Sequence, residues 1–188
     1  MMISIRDQCD DAVCAGSHAG RTVLGKLLAL TSCEPSSPSA LFLDFSEVEI
    51  ATVSFLRESI LAIRDFLRSR KSNYYPVLTN ANQQIRDEFE IILSLKNEAF
   101  LHCHLESDGR KTNITVLGRL DEKIKHVLNV IQDRGEIDAG ELQREFGAAE
   151  GVQQTAWNNR LAALAAAGLV IETSRGRAKR YWSLLKEG

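Results

Sequence analysis

Proline is scarce in this chain, 3 residues in 188, and no Gly/Ser-rich or collagen-like stretch occurs. That excludes a fibrous protein. Long apolar runs are missing as well. The longest, Leu161 to Ile171, is short and rich in Ala and Gly, whereas a membrane-spanning helix needs about 20 apolar residues. The cysteines Cys9, Cys14, Cys33 and Cys103 form no C-x-x-C pair and match no zinc spacing or disulfide framework. Four reduced thiols are the expectation. Charge of one sign does not dominate either. With 23 Lys+Arg against 25 Asp+Glu, the net charge is -2, so the chain as a whole has no pull toward nucleic acid or an anionic membrane. G-x-S-x-G, P-loop, G-x-G-x-x-G and H-E-x-x-H patterns are all absent. No catalytic residue, cofactor or metal site is assigned, and an enzyme is not expected. The chain opens MMISIRDQCDD, where charge interrupts any apolar leader, so a cytoplasmic location is expected.

What is present is an ordinary globular balance, 44% hydrophobic and 26% charged. At roughly 100–200 residues per domain, the length suits one full domain or two small ones. Apolar spacing predicts a short strand at 2–6, a helix over 19–33 and a buried strand at Ala40–Phe45. An amphipathic helix follows over 53–69, with Arg57, Glu58, Arg64 and Asp65 assigned to its outer side. A strand at 75–79, a helix at 83–95 and strands at 99–106 and 112–117 complete the first part. Alternating strands and helices argue for an α/β layer with a mixed sheet. Near Gly118-Arg119 the period changes. Three helices (121–132, 139–146, 152–167) and two strands (169–173, 179–185) follow, giving expected domains 1–117 and 118–188. Positive charge collects at the end: residues 152–188 hold 6 Lys/Arg against 2 Asp/Glu, whereas residues 1–118 hold 12 against 15.

The string Phe100-Leu101-His102-Cys103-His104-Leu105 suggests a metal at first. On a strand, His102 and His104 share one face and Cys103 the other, so the three cannot converge without a bulge. A half-exposed strand with outward histidines is expected. Gly16-Ser17-His18-Ala19-Gly20-Arg21 has the character of a helix start, which suits a loop and cap as well as an anion.

Residues 136–168 have helix-turn-helix spacing. In the second helix Trp157, Leu161 and Leu164 form one stripe, and Thr155, Asn159, Ala162 and Ala166 lie nearly opposite with Asn158 at the border. Asparagine side chains can bond the adenine N6/N7 edge, and alanines permit close approach. Arg160, beside the stripe, is expected to reach a phosphate. The next two strands flank Ser174-Arg175-Gly176-Arg177, a basic hairpin in which Arg175, Arg177, Lys179 and Arg180 are expected phosphate contacts. The order and the string TAWNNRLAALAAAGLVIETSRGRAKRYWSL resemble winged-helix bacterial regulators over residues 119–186. The resemblance implies a double-stranded DNA partner, or a protein partner where such a module serves protein binding.

The string ALFLDFSEVEIATVSFLRESILAIRDFL, residues 40–67, places Asp44-Phe45-Ser46-x-Val48 between a strand and a long helix, with a second strand at 74–80. This resembles STAS-like domains related to anti-sigma factor antagonists, over roughly residues 1–116. In that family a serine at this helix start is phosphorylated by a partner kinase. By register that position is Ser54, so the resemblance implies a protein partner such as a kinase or an anti-sigma-like factor. Thr52, Val53 and Phe55 stand where the antagonists carry an acidic residue, a first serine and a glycine. Thr52 or Ser54 can equally serve as a helix cap. The combined expectation is an α/β STAS-like domain plus a small α+β winged helix, acting in transcription regulation as a homodimer, because one winged helix offers little surface to hold an operator. The alternative is a partner-switching adaptor whose winged helix binds protein.

Overall fold

The computed structural model describes residues 1–175 and 178–186, without the side chains of Arg175 and Ala178. The chain divides into two compact units, Met1–Arg119 and Leu120–Lys186.

The first unit is a mixed α/β layer. Its main sheet has the order β1 (Met2–Ser4), β3 (Ser39–Asp44), β5 (Tyr74–Thr79), β6 (Ala99–Leu105), β7 (Lys111–Gly118). The first four strands run parallel, and β7 runs antiparallel to β6. Every residue of β5 is buried, whereas in β3, the strand expected to be buried throughout, only the alternate residues Leu41 and Leu43 are buried, as in a strand with one face on the core. Helices α1 (Gly16–Leu30) and α4 (Gln83–Lys96) and a helical run over 53–69 pack with the sheet in one apolar cluster that includes Leu27, Leu41, Leu43, Phe55, Ile60, Phe89 and Phe100. Two-residue strands β2 (Val13–Cys14) and β4 (Ile50–Ala51) pair in parallel. They are too short to leave a periodic signal in sequence.

The 53–69 run comprises α2 (Val53–Leu56), a π-helical turn at Arg57–Leu61, and α3 (Ala62–Ser69). At the wide turn the buried Ser59 hydroxyl donates to the Phe55 carbonyl at 2.7 Å. Gly20 of α1 lies against this turn so closely that a Cβ there would stand 2.8 Å from the same carbonyl. Arg64, expected outside, is buried. It sits four residues after Ile60 and three before Leu67, on the same stripe. Its guanidinium meets Asp65 at 2.6 Å and Glu98 at 2.5 Å.

The second unit runs α5 (Glu122–Arg134), β8 (Glu136–Ile137), α6 (Ala139–Glu150), α7 (Gln154–Ala166), β9 (Val170–Arg175), β10 (Ala178–Ser183). Asp138 and Glu141 form a reciprocal capping box at the start of α6, both bonds 2.8 Å. Gly151, in the left-handed region, ends α6, and α7 begins after Val152 and Gln153. The strands form an antiparallel sheet ordered β8-β10-β9. Val127, Ile131, Leu142, Trp157, Leu161, Leu164 and Tyr181 fill the core. Among the described residues no helix is long and apolar enough to cross a membrane.

Candidate functional site

Helix α7 carries a wide exposed face. Trp157, Leu161 and Leu164 turn inward, while Thr155, Asn158, Asn159, Ala162, Ala163 and Ala166 are exposed. The burial repeats at three- and four-residue steps, so the 3.6-residue period alone fixes which face is open. Beside this face lies a hollow of about 520 Å³ whose lining includes Asp138, Gln154, Asn158, Asn159, Ala162 and Lys179. Gln154, not singled out in the sequence, stands one turn before Asn158, and a count of polar residues at four-residue spacing finds it. Tyr181 also lines the hollow, where burial and the neighbouring Glu172 push its phenol up to about 12.

The expected cations divide into two kinds. Arg160 is not a surface residue. It lies three positions after Trp157 and four before Leu164, which places it on the inner stripe, and only 8% of it is exposed. Its guanidinium stands 4.4 Å from the centre of the Trp157 ring and bonds Glu150 at 2.6 Å. The expectation of a phosphate contact there is corrected: its charge is matched inside the unit. Arg180 lies between Glu136 at 3.5 Å and Glu141 at 3.3 Å. Lys179 is exposed and pairs with Glu172 at 2.7 Å. Arg175 closes the β9–β10 ladder opposite Ala178, so the strands continue into the stretch expected as a turn. Arg177 and the Arg175 side chain lie outside the described residues.

In the first unit the Asp44-Phe45-Ser46-x-Val48 string ends β3. Asp44 accepts from the Ser46 hydroxyl at 2.8 Å and from the Asn80 amide at 2.7 Å, while Phe45 and Val48 are buried in the core. Asn80 also accepts from the Leu105 backbone at 2.9 Å. It thus ties together the ends of β3, β5 and β6, a role with no local signal in sequence. The helix cap is Thr52. Its hydroxyl accepts from Phe55 N at 3.4 Å and from Gly16 N at 3.1 Å. Ser54 is half-buried in the first turn, with its hydroxyl 3.3 Å from that of Thr52.

The histidine-cysteine string departs from expectation. His104 is exposed, but His102 is buried, with Nδ1 3.2 Å from the Thr115 hydroxyl. A register shift in the β6–β7 ladder separates the two: His102 pairs with Thr115 and His104 with Thr112. The extra residue lies on β7, where Asn113 takes a φ of 52°. Burial, with Arg86 and His104 adding to it, pushes the His102 imidazole down to about 4. Burial pushes the Cys103 thiol up to about 11. Sequence spacing also missed a pair of thiols that the fold brings together: Cys9 and Cys14 stand with their sulfurs 2.7 Å apart.

Set beside known proteins, the chain matches no family model and no curated sequence.

Proposed function

We propose that the chain is a DNA-binding transcription regulator. In this reading Leu120–Lys186 acts as a winged helix-turn-helix and Met1–Arg119 as a STAS-like module for assembly or sensing. The observation that carries it is the open face of α7, where Thr155, Asn158 and Asn159 are exposed in front of small alanines. A helix of that kind fits the major groove, where asparagine bonds adenine N6/N7. The order helix, strand, helix, helix, strand, strand with sheet order β8-β10-β9 supports the same reading. Lys179 with Arg175 and Arg177 supplies phosphate contacts. Lys179 is exposed and Glu172 half-buried, and a surface pair of this kind is worth about 0–1 kcal/mol, so exchange for a phosphate costs little. Two copies bind a two-fold site as a homodimer.

A specific observation favours the adaptor as second reading. Arg180 and Arg160 are matched by Glu136, Glu141 and Glu150, which leaves the face less basic than its sequence suggests. A weakly charged face suits a protein partner.

The test uses the full chain, first selecting a preferred site from a random duplex pool and then measuring affinity across a salt series. Asn159→Ala is expected to cost about 1–3 kcal/mol on the selected site and less on random duplex. The double variant Arg175→Ala/Arg177→Ala is expected to flatten the slope of log K against log salt by roughly two units. Enrichment of no duplex, or a slope unchanged in the double variant, transfers the conclusion to the adaptor.

A further inference from the structure

Cys9 follows the short turn Arg6–Gln8, and Cys14 ends β2. Both are free thiols, yet their sulfurs lie 2.7 Å apart with the Cys14 thiol donating to Cys9. The backbone fixes both positions. Cys9 N bonds the Ile5 carbonyl at 3.2 Å, and the Cys14 carbonyl accepts from Thr52 N at 3.1 Å while β2 pairs with β4. The two side chains face one another from anchored loops, so forming a disulfide of about 2.0 Å requires little backbone movement. Access is one-sided. Cys14 is 1% exposed and belongs to the core cluster. Cys9 is half-buried at a hollow of about 360 Å³ whose lining includes His18, Thr22 and Lys26. Of the other two thiols, Cys33 is exposed and Cys103 is buried.

The electrostatics divide the roles. The hydrogen bond from Cys14 holds the Cys9 thiol below its usual range, and Lys26 and Arg6 act in the same direction against burial and Asp10. Lys26 stays close by donating to the Gln8 carbonyl at 2.8 Å, and Arg6 by donating to the Cys9 carbonyl at 3.3 Å. The same bond, burial and Asp11 raise Cys14. Cys9, the accessible sulfur and the one whose ionisation is favoured, is therefore the attacking group, and the buried Cys14 resolves the product.

We propose that Cys9 and Cys14 form a modification site, a dithiol that a peroxide oxidises to an intramolecular disulfide. The Cys9 thiolate attacks one peroxide oxygen. The O–O bond breaks, Cys9 becomes a sulfenic acid, and the departing oxygen takes a proton and leaves as water, or as an alcohol from an organic peroxide. The Cys14 sulfur then attacks the sulfenic sulfur. The S–S bond forms, the S–O bond breaks, and the hydroxyl leaves as water with the Cys14 proton. Two thiols lose two protons and two electrons, and the peroxide accepts both electrons and, with the protons, ends as water or as water and an alcohol.

The sequence makes the test direct. Trypsin cuts after Arg6 and Arg21 with no Lys or Arg between them, so Cys9 and Cys14 share one peptide, and Cys33 and Cys103 fall on two others. The reduced full chain is treated with one equivalent of hydrogen peroxide, alkylated, digested and weighed. The expected result is a Cys9–Cys14 peptide without alkylation and lighter by two hydrogens, restored by dithiothreitol, while Cys33 remains alkylated. This oxidation should run at least about tenfold faster than in the urea-unfolded chain, where the anchoring is lost. Cys14→Ser should leave a sulfenic acid on Cys9 that dimedone traps. Oxidation of Cys33 ahead of the pair, or an equal rate in the unfolded chain, overturns the assignment. The comparison with the unfolded chain needs no variant and holds even where Cys14→Ser fails to fold.

Discussion

Acidification to about pH 5 is expected to destabilise the first unit through one imidazole. His102 lies in β6 with its Nδ1 against Thr115, and its Nε2 is buried without a hydrogen-bond partner among the described residues. Charging the ring in place would leave a cation with no counter-ion and with Arg86 and His104 as like-signed neighbours. The fold therefore binds the neutral form and holds the group near 4 instead of 6.5. Above the unfolded value both states are neutral and the full native stability is present. As pH falls toward 4 the unfolded chain takes up a proton that the native state refuses, and stability is lost. At about 1.4 kcal/mol per unit the whole shift is worth about 3 kcal/mol, of which about 2 kcal/mol is lost by about pH 5. Urea titrations at about pH 7 and about pH 5 read this directly. His102→Gln keeps a polar group facing Thr115 but removes the titration, so the variant should lose about 2 kcal/mol less than the wild type over that interval. Carboxylates contribute equally to both proteins and cancel. Equal losses in the two proteins would show that the ring is solvated or paired in the native state and would refute the argument.

Three other outcomes follow from the same structure. Gly118→Ala should be severely destabilising, by about 3 kcal/mol or more in denaturant melts, because φ is 86° there and a Cβ would stand 2.2 Å from the Glu98 carbonyl. Arg160→Ala should cost about 1–2 kcal/mol in the second unit, since it removes the ion pair to the surface residue Glu150 and the cation over the Trp157 ring; a thermal shift near zero would return Arg160 to the surface. Ser54→Glu should leave the melting temperature nearly unchanged while reducing recovery of a protein partner in pull-downs, because the cap is Thr52 and a carboxylate in the first helical turn suits the helix dipole; identical recovery would make Ser54 a structural residue only.

Much of this molecule is legible along the chain because the signals are local. The strand over ALFLDF, the amphipathic run from Phe55 to Leu67 and the inner stripe Trp157, Leu161, Leu164 all follow from side-chain period, and the open face of α7 with Thr155, Asn158 and Asn159 follows from the same count. What each charge or thiol meets does not follow, because partners far apart in sequence leave no periodic trace. Arg64 finds Glu98 only when α3 is brought to the residue before β6, and Arg180 meets Glu136 and Glu141 only when β10 pairs with β8. His102 is buried and His104 exposed, a difference that alternation along β6, which keeps both on one face, does not contain. Cys9 and Cys14 are close in sequence, but the two-residue pairing of β2 with a strand more than thirty residues later is what turns their sulfurs toward each other. Period depends on neighbours along the chain, whereas charge pairing and thiol contact depend on tertiary closure, so side-chain spacing decides which stripe of a helix is buried and only the closed fold decides what each polar group meets there.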